Sequence, residues 1–349
     1  GESANWSGGV GEDQEGVENL TWEKGLKKDI GLEIKLFNSL LSFDLDYFFE
    51  RRWDILIQRN TVPGIAGMNK LPLANMGVLN NQGFEFTGEL NHHIGKVGYR
   101  LYGNFSFARN KVLEKDEAPT DSWRRRTGHR LNQRFGYIAL GYFADQDEID
   151  LSPTQFGLPL APGDVKYLDY NKDGVVDEHD EVAIGYANVP EINYGFGAQL
   201  TWKGLDLGVF FRGQANVTYY LGGAWFPFYG GVKQGNLFEK ALDRWSPENP
   251  DPNAYYPRLT EYRNTNNQKT STKTIYDGSL IRLSDVEAGY TFKGDWLKNW
   301  GCQAFRIYFV GSNLWMHSAW DMWDPETGSS DGSSYPLTRK FNFGVRFTF

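Results

Sequence analysis

Lys340-Phe341-Asn342-Phe343-Gly344-Val345-Arg346-Phe347-Thr348-Phe349 decides the fold. Phe341, Phe343, Val345, Phe347 and Phe349 share one parity, and Lys340, Asn342, Gly344, Arg346 and Thr348 share the other. Side chains of an extended strand alternate between two faces, so this stretch is a strand with one bulky apolar face and one polar face. Its length matches the roughly 9–11 residues that a tilted strand needs to cross a bilayer.

The same texture recurs upstream. Ile192, Tyr194, Phe196, Ala198, Leu200 and Trp202 oppose Asn193, Gly195, Gly197, Gln199 and Thr201. Phe43, Leu45, Tyr47 and Phe49 repeat it, as do Tyr99, Leu101, Gly103, Phe105 and Phe107. Between Ile281 and Val286 the parity slips, which predicts a β-bulge. About nine such strands are predicted by pattern and length. They fall at residues 28–37, 41–57, 78–92, 97–112, 191–202, 205–220, 280–292, 305–315 and 340–349.

The links alternate in length: short at 38–39, 93–96, 203–204 and 293–301, long at 58–77, 113–190, 221–279 and 316–339. Short turns on one side and long loops on the other are the pattern of an outer-membrane barrel. The fold class expected is therefore all-β, a transmembrane antiparallel β-barrel. A soluble β-sandwich also alternates, but loops this long are uncommon in compact domains. Such barrels have an even strand count and no open edge. The expectation is that residues 28–349 form the C-terminal portion of a larger barrel and pair with strands preceding Gly1, residues 1–27 being a lead-in. The inward parity, including Glu85, Thr87, Glu89, Arg100, Asn104, Gln199 and Arg346, would line a polar interior.

Composition agrees. Aromatics reach 16% and glycine numbers 40 in 349 residues, which favours strands and tight turns over packed helices. A mean hydropathy of −0.53, without any long apolar run, excludes a membrane-spanning helix. It leaves a barrel open, whose strands average out as hydrophilic. The net charge of −8 argues against nucleic acid as a partner. Cys302 is the only cysteine, so there is no internal disulfide and no cysteine-based zinc cluster.

The sharpest local signal is the stretch 169–180, Asp-Tyr-Asn-Lys-Asp-Gly-Val-Val-Asp-Glu-His-Asp. It fits the calcium-loop pattern, because calcium takes six to eight hard oxygen ligands and the glycine permits the sharp turn. Asp169, Asn171, Asp173, Asp177 and Asp180 would offer side-chain oxygens and Val175 its carbonyl, with Asp180 standing where glutamate is usual. A structural calcium is expected there, ordering a long connection. The alternative is an acidic solvated turn.

Aromatic rings in the long loops form the second signal. Trp225, Phe226, Phe228 and Tyr229 make one group, and Trp320 and Trp323 another beside Asp321 and Asp324. Rings beside carboxylates suit sugar recognition, which makes Trp225, Tyr229, Trp320 and Trp323 candidate substrate contacts. The competing reading is an interfacial girdle or rings that pack the loops together. His92 and His93 sit at a predicted turn and do not make a zinc pair. Arg124-Arg125-Arg126 reads as a solvated loop face, with anionic lipopolysaccharide as the alternative partner. There is no nucleophile elbow and no phosphate-binding glycine loop, so an enzyme is not expected.

Several motifs carry a resemblance. The stretches 19–24 (Asn-Leu-Thr-Trp-Glu-Lys) and 29–33 (Asp-Ile-Gly-Leu-Glu) resemble a strand opening of SusC/RagA-type TonB-dependent outer-membrane transporters. So do Asp46-Tyr47-Phe48 with Asp54-Ile55-Leu56, the run 75–85, Asn110-Lys111-Val112-Leu113, the run 162–169, Ile184-Gly185 with Pro190, and the terminal segment from Tyr335. The resemblance implies a barrel of about 22 strands plugged by an N-terminal domain. It implies TonB-driven import of oligosaccharides or peptides across a Gram-negative outer membrane, with a SusD-like lipoprotein capping the mouth. The terminal aromatic Phe349 resembles the signal read by outer-membrane assembly machinery. The rival readings are a passive porin and a soluble calcium-dependent carbohydrate-binding module.

Overall fold

The computed structural model describes residues 16–17, 19–66, 70–118, 121–227, 237–261, 263–299 and 301–349. Nine strands form one antiparallel sheet in which every neighbour in space is also the neighbour in sequence. They are β1 (Lys24–Leu36), β2 (Leu41–Gln58), β3 (Leu73–Ile94), β4 (Val97–Glu114) and β5 (Ile192–Trp202). The remaining four are β6 (Leu205–Ala215), β7 (Leu280–Phe292), β8 (Ala304–Ser318) and β9 (Lys340–Thr348). Strands β1 and β9 form the two edges of the sheet.

The registers explain the alternation. One row of paired residues runs Leu36, Leu41, Leu90, Leu101, Ala198, Val209, Val286, Gly311 and Phe341 across all nine strands. The adjacent row runs Lys35, Ser42, Glu89, Tyr102, Gly197, Phe210, Asp285, Ser312 and Lys340. Directly paired residues point to the same face, so the first row belongs to a continuous apolar face and the second to a polar one. On the apolar face, rings meet across strands: Phe84 and Phe105 stack at 5.5 Å, Phe196 and Phe211 at 5.2 Å, and Phe305 and Phe347 at 4.9 Å. On the polar face the Tyr102 and Phe210 rings lie parallel at 5.9 Å over the small residue between them, Gly197. A Cβ there would meet the Tyr102 ring at 2.6 Å, so only glycine fits beneath it.

The turns hold the register. Trp202 pairs with Leu205 around Lys203 and Gly204, whose φ values of 48° and 93° match the tight hairpin turn that suits strand twist. The bulge expected near Ile281 is present: the β7–β8 register shifts between Leu283 and Asp285, and β6–β7 shifts between Phe210 and Phe211. One expectation needs correction. The single strand foreseen over 205–220 breaks at Asn216, which takes φ 56°. Beyond the break, Thr218–Tyr220 pairs with Ile275–Asp277 outside the large sheet. Asparagine tolerates the left-handed conformation, and the apolar–polar pattern does not register such a kink.

Short connections cluster at one end of the sheet, where β9 also finishes, since Thr348 pairs with Ala304 at the start of β8. The connection from β7 to β8 carries a single helical turn, α1 (Asp295–Lys298), in which Leu297 is buried and accepts at its carbonyl from the N–H of the buried Cys302 at 3.1 Å. The long connections gather at the opposite end and pack into a lobe with its own cores.

Candidate functional site

The functional surface is assembled from the polar face and from the lobe that the long loops build above it. Glu85, Thr87 and Asn104 occupy the polar face with Ser106, Asn193, Arg212 and Gln214, and these residues line a cavity of about 500 Å³. Glu89, Arg100, Gln199 and Arg346 fall on the same face by register. Every residue that alternation assigned to the interior therefore shares one side. Charges on this wall are organised in pairs. Arg100 donates to Glu89 at 2.7 Å, and Arg306 bridges Asp206 (Nε to Oδ1, 3.1 Å) and Glu287 (2.5 Å).

Arg212 and Arg282 are direct cross-strand partners, an arrangement that repels unless anions intervene. Two carboxylates from the last long loop do so. Arg282 is almost fully buried and donates to Asp324 at 2.6 Å and Glu326 at 3.1 Å, while Arg212 meets Glu326 at 2.5 Å. Asp324 also starts a short helical turn by accepting from the Glu326 N–H at 3.0 Å. This four-residue network clamps the loop over the cavity, which Glu326 also lines. Sequence reading placed Asp324 beside a tryptophan and did not connect it to Arg282, 42 residues away.

Within the lobe, Tyr137, Tyr142, Val165, Tyr167, Val176, Trp245 and Ala254 form one buried cluster. A second gathers Leu221, Trp225, Phe226, Ala241, Tyr256, Tyr276 and Trp320, with Trp323 packed against it. Trp225 stacks on Tyr256 at 4.7 Å, and Trp320 on Tyr276 at 4.2 Å. Trp225 is 5% and Trp320 8% exposed, so their faces are spent on each other. These rings join the long loops, which is the packing role weighed against sugar contact. Tyr229 lies outside the described residues. Burial among these rings pushes the Tyr276 hydroxyl up to about 12.

Buried polar groups tie distant loops together. Asp164 is fully buried and accepts from Arg258 Nε at 2.7 Å, Asn264 at 2.8 Å and Asn267 at 3.0 Å. Gln155 links Val165 and Asn266, each at 2.9 Å. Asp116 accepts from the Thr61 N–H at 3.0 Å and its hydroxyl at 2.7 Å, and the backbone donor holds its carboxyl below the usual range. Glu191, at the loop end of β5, is held by Arg109 at 2.7 Å and by Arg130.

The 169–180 loop folds as a turn of the calcium-loop shape. Gly174 takes φ 89°, and the Asp169 carboxylate accepts from the N–H groups of Lys172 (2.7 Å), Asp173 (3.2 Å) and Gly174 (2.9 Å). Asp180 is buried and accepts from Tyr170 (2.7 Å), Asn171 (3.1 Å) and Asp177 (2.9 Å). Asn171 donates to Asp173, whose other oxygen accepts from the Val175 N–H at 2.9 Å. The Asp169 and Asp180 carboxylates are turned onto N–H groups of the loop, and among the described residues no three acidic, histidine or cysteine side chains converge as ligands. Arg124 lies against Asp121 at 3.4 Å and Arg126 over the Phe135 ring, while Arg125 is solvent-exposed. Phe349 is 76% exposed at the short-turn end of the sheet.

A sheet with one continuous apolar face, one ion-paired polar face and all long loops at one end is a wall of a membrane β-barrel. Residues 3–314 match the TonB dependent receptor-like, beta-barrel family, and the chain belongs to it. TonB-dependent receptor P26 of Formosa agariphila is 31% identical, over 95% of this chain and 35% of its own length. TonB-dependent receptor SusC of Bacteroides thetaiotaomicron is 22% identical, over 95% and 32% respectively. Among solved structures, the RagAB peptide importer in its closed-closed state shares the fold with a TM-score of 0.71 at 21% identity, over 95% of this chain and 36% of that one. The chain thus spans about a third of the length of these relatives.

Proposed function

We propose that this chain forms part of the barrel wall and extracellular mouth of a TonB-dependent importer of oligomeric nutrients in a Gram-negative outer membrane. The carrying observation is the two-faced sheet, whose apolar side suits lipid and whose polar side leads from the loop lobe along an ion-paired wall. In this reading β1 and β9 continue into further strands of a plugged barrel, because an open edge of this length would template aggregation. A SusD-like lipoprotein seats on the lobe, the TonB complex supplies energy from the periplasmic side, and oligosaccharide or peptide is the cargo. Lipid and lipopolysaccharide surround the apolar face, and the assembly machinery reads the terminal strand ending at Phe349.

The test is uptake of labelled oligosaccharide and peptide libraries in cells with and without the gene. Energised import predicts accumulation that needs both the gene and the proton-motive force. Equilibration that persists in de-energised cells would support a passive porin instead. A protein that stays in solution without detergent would support the carbohydrate-binding module.

Calcium belongs to the same proposal as a structural element. Asp169, Asn171, Asp173, Asp177 and Asp180, with the Val175 carbonyl, would hold it, and its charge would neutralise the acidic loop. Chelation should raise the rate of proteolysis within 169–180, and Asp169→Ala should remove that dependence. Identical cleavage with and without chelator would remove calcium from the account.

A further inference from the structure

A second and larger cavity, of about 820 Å³, lies between the loop ends of β2, β3 and β4 and the segment that follows β4. We propose that it is a subsite for an acidic oligosaccharide, recognised through carboxylate or sulfate groups on its sugars. The inference rests on the import reading above and names the class of cargo.

Charge is the first argument. Arg52, Lys115, Arg126, Arg130 and Arg134 line the cavity, against Glu23 and Glu114. That is a cationic wall on a chain whose net charge is −8. Compensation is the second. Arg52 is held by Glu23 and Arg130 by Glu191. Among the described residues Lys115 and Arg134 have no carboxylate within ion-pair distance, and Arg134 lies over the Tyr220 ring at 5.3 Å. Arg126 reaches Glu181 only at 3.8 Å, and its Nη1 is buried without a hydrogen-bond partner. A desolvated charged donor without an acceptor is costly, and a ligand oxyanion would relieve it. Burial pushes the Arg126 pKa down, the direction expected of a cation short of counter-charge.

Shape and chemistry narrow the ligand. A guanidinium fork matches the planar oxygens of carboxylate or sulfate, which a simple point charge does not. Ile57, Val78 and Leu131 supply apolar wall against which the C–H faces of a sugar ring can lie. Asn132, Asn188 and Thr270 also line the cavity, and their side chains make no internal hydrogen bond among the described residues, leaving them for hydroxyls. An acidic peptide would find the same arginines, but the apolar wall beside unengaged amide and hydroxyl groups favours a sugar ring, and polyglutamate is the control that separates the two.

The test uses the protein purified in detergent together with whatever flanks this chain in its gene. Calorimetry would compare oligogalacturonate, a sulfated galactan oligosaccharide, a neutral maltooligosaccharide and a short polyglutamate of equal charge. The proposal predicts binding of the acidic sugars, weakened strongly between low and high salt. Arg126→Gln combined with Arg134→Gln should weaken that binding about tenfold or more, the loss expected for charge-assisted hydrogen bonds. Arg134→Lys alone keeps the charge and loses the fork, so its binding should fall between parent and double variant, and heat-modified gel mobility would show that each variant keeps its barrel. Neutral sugar bound as tightly as acidic sugar, polyglutamate preferred over both, or a double variant indistinguishable from the parent would each overturn the subsite. Uptake assays separate the two readings. Accumulation of neutral sugar or peptide without acid preference removes the subsite alone, whereas no energised accumulation of any oligomer removes the import reading.

Discussion

The nine-stranded sheet and the loop lobe are held together by opposite means. In the sheet each residue's partner follows from a ladder, and between the bulges the two faces differ in a period of two. The lobe has little regular structure. Its order comes from two aromatic clusters and from buried polar groups joined across the sequence, such as Asp164 with Arg258, Asn264 and Asn267. Neighbouring strands constrain a wall locally, and lipid rewards its uniform apolar face. A mouth that must present a specific surface is instead fixed by a few non-local contacts. Conservative changes should therefore be absorbed by the wall and felt sharply in the lobe.

That contrast can be broken most directly at Arg282. Removing one partner of a buried charge network typically costs about 3–5 kcal/mol, because the remaining charges stay buried and unpaired. Arg282→Ala strands Asp324 and leaves Glu326 with Arg212 alone, so the last long loop should become protease-sensitive while the sheet keeps its strand signal in infrared spectra. Sheet and loop melting together would show that the two regions are one cooperative unit. The wall has its own sharp test at Phe196, which faces the apolar side in the middle of β5. An arginine there should cost about 2–4 kcal/mol in urea unfolding from bilayers, the penalty of a cation facing mid-membrane lipid. Gln199→Arg, on the opposite face of the same strand, should cost far less. Equal costs at the two positions would erase the distinction between faces. The smallest effect concerns register. Gly95→Ala, at φ 61° with open space where the Cβ would sit, should destabilise the β3–β4 hairpin by about 1 kcal/mol through backbone strain, read as a small shift in the urea midpoint.

Legibility in the sequence follows the same division. Strands β2, β4, β5, β7 and β9 are plain from alternation, because each apolar residue needs only its own parity to declare a face. The bulge near Leu283 also shows, as a slip in that parity. What alternation misses is a break that leaves composition unchanged, as at Asn216. The aromatic richness of the loops is equally visible, yet composition does not tell rings that stack on a ligand from rings that stack on one another. Trp225 meets Tyr256 and Trp320 meets Tyr276 only once the loops have folded. The Arg282 network was hidden for a different reason. Its anions lie 42 and 44 residues downstream in an irregular loop, and no local period links them. The cationic cavity was hidden in part only: Arg126, Arg130 and Arg134 stand close together in one segment, but Arg52 and the apolar wall of Ile57 and Val78 come from β2 and β3, far upstream, and meet them only after folding.

The central claim is that one face of this sheet meets lipid and the other lines an interior. Single cysteines placed in turn at residues 193, 194, 196, 198, 199, 200 and 201, in a Cys302→Ser background, would test it in native outer membranes; Gly195 and Gly197 are left in place because a Cβ there would clash. Each would be labelled with a membrane-impermeant maleimide and, separately, with an environment-sensitive fluorophore quenched from within the lipid. The expected result is division by parity, with Tyr194, Phe196, Ala198 and Leu200 positions quenched by lipid and Asn193, Gln199 and Thr201 positions reached through water. Water access at both parities, or lipid quenching at neither, would contradict it.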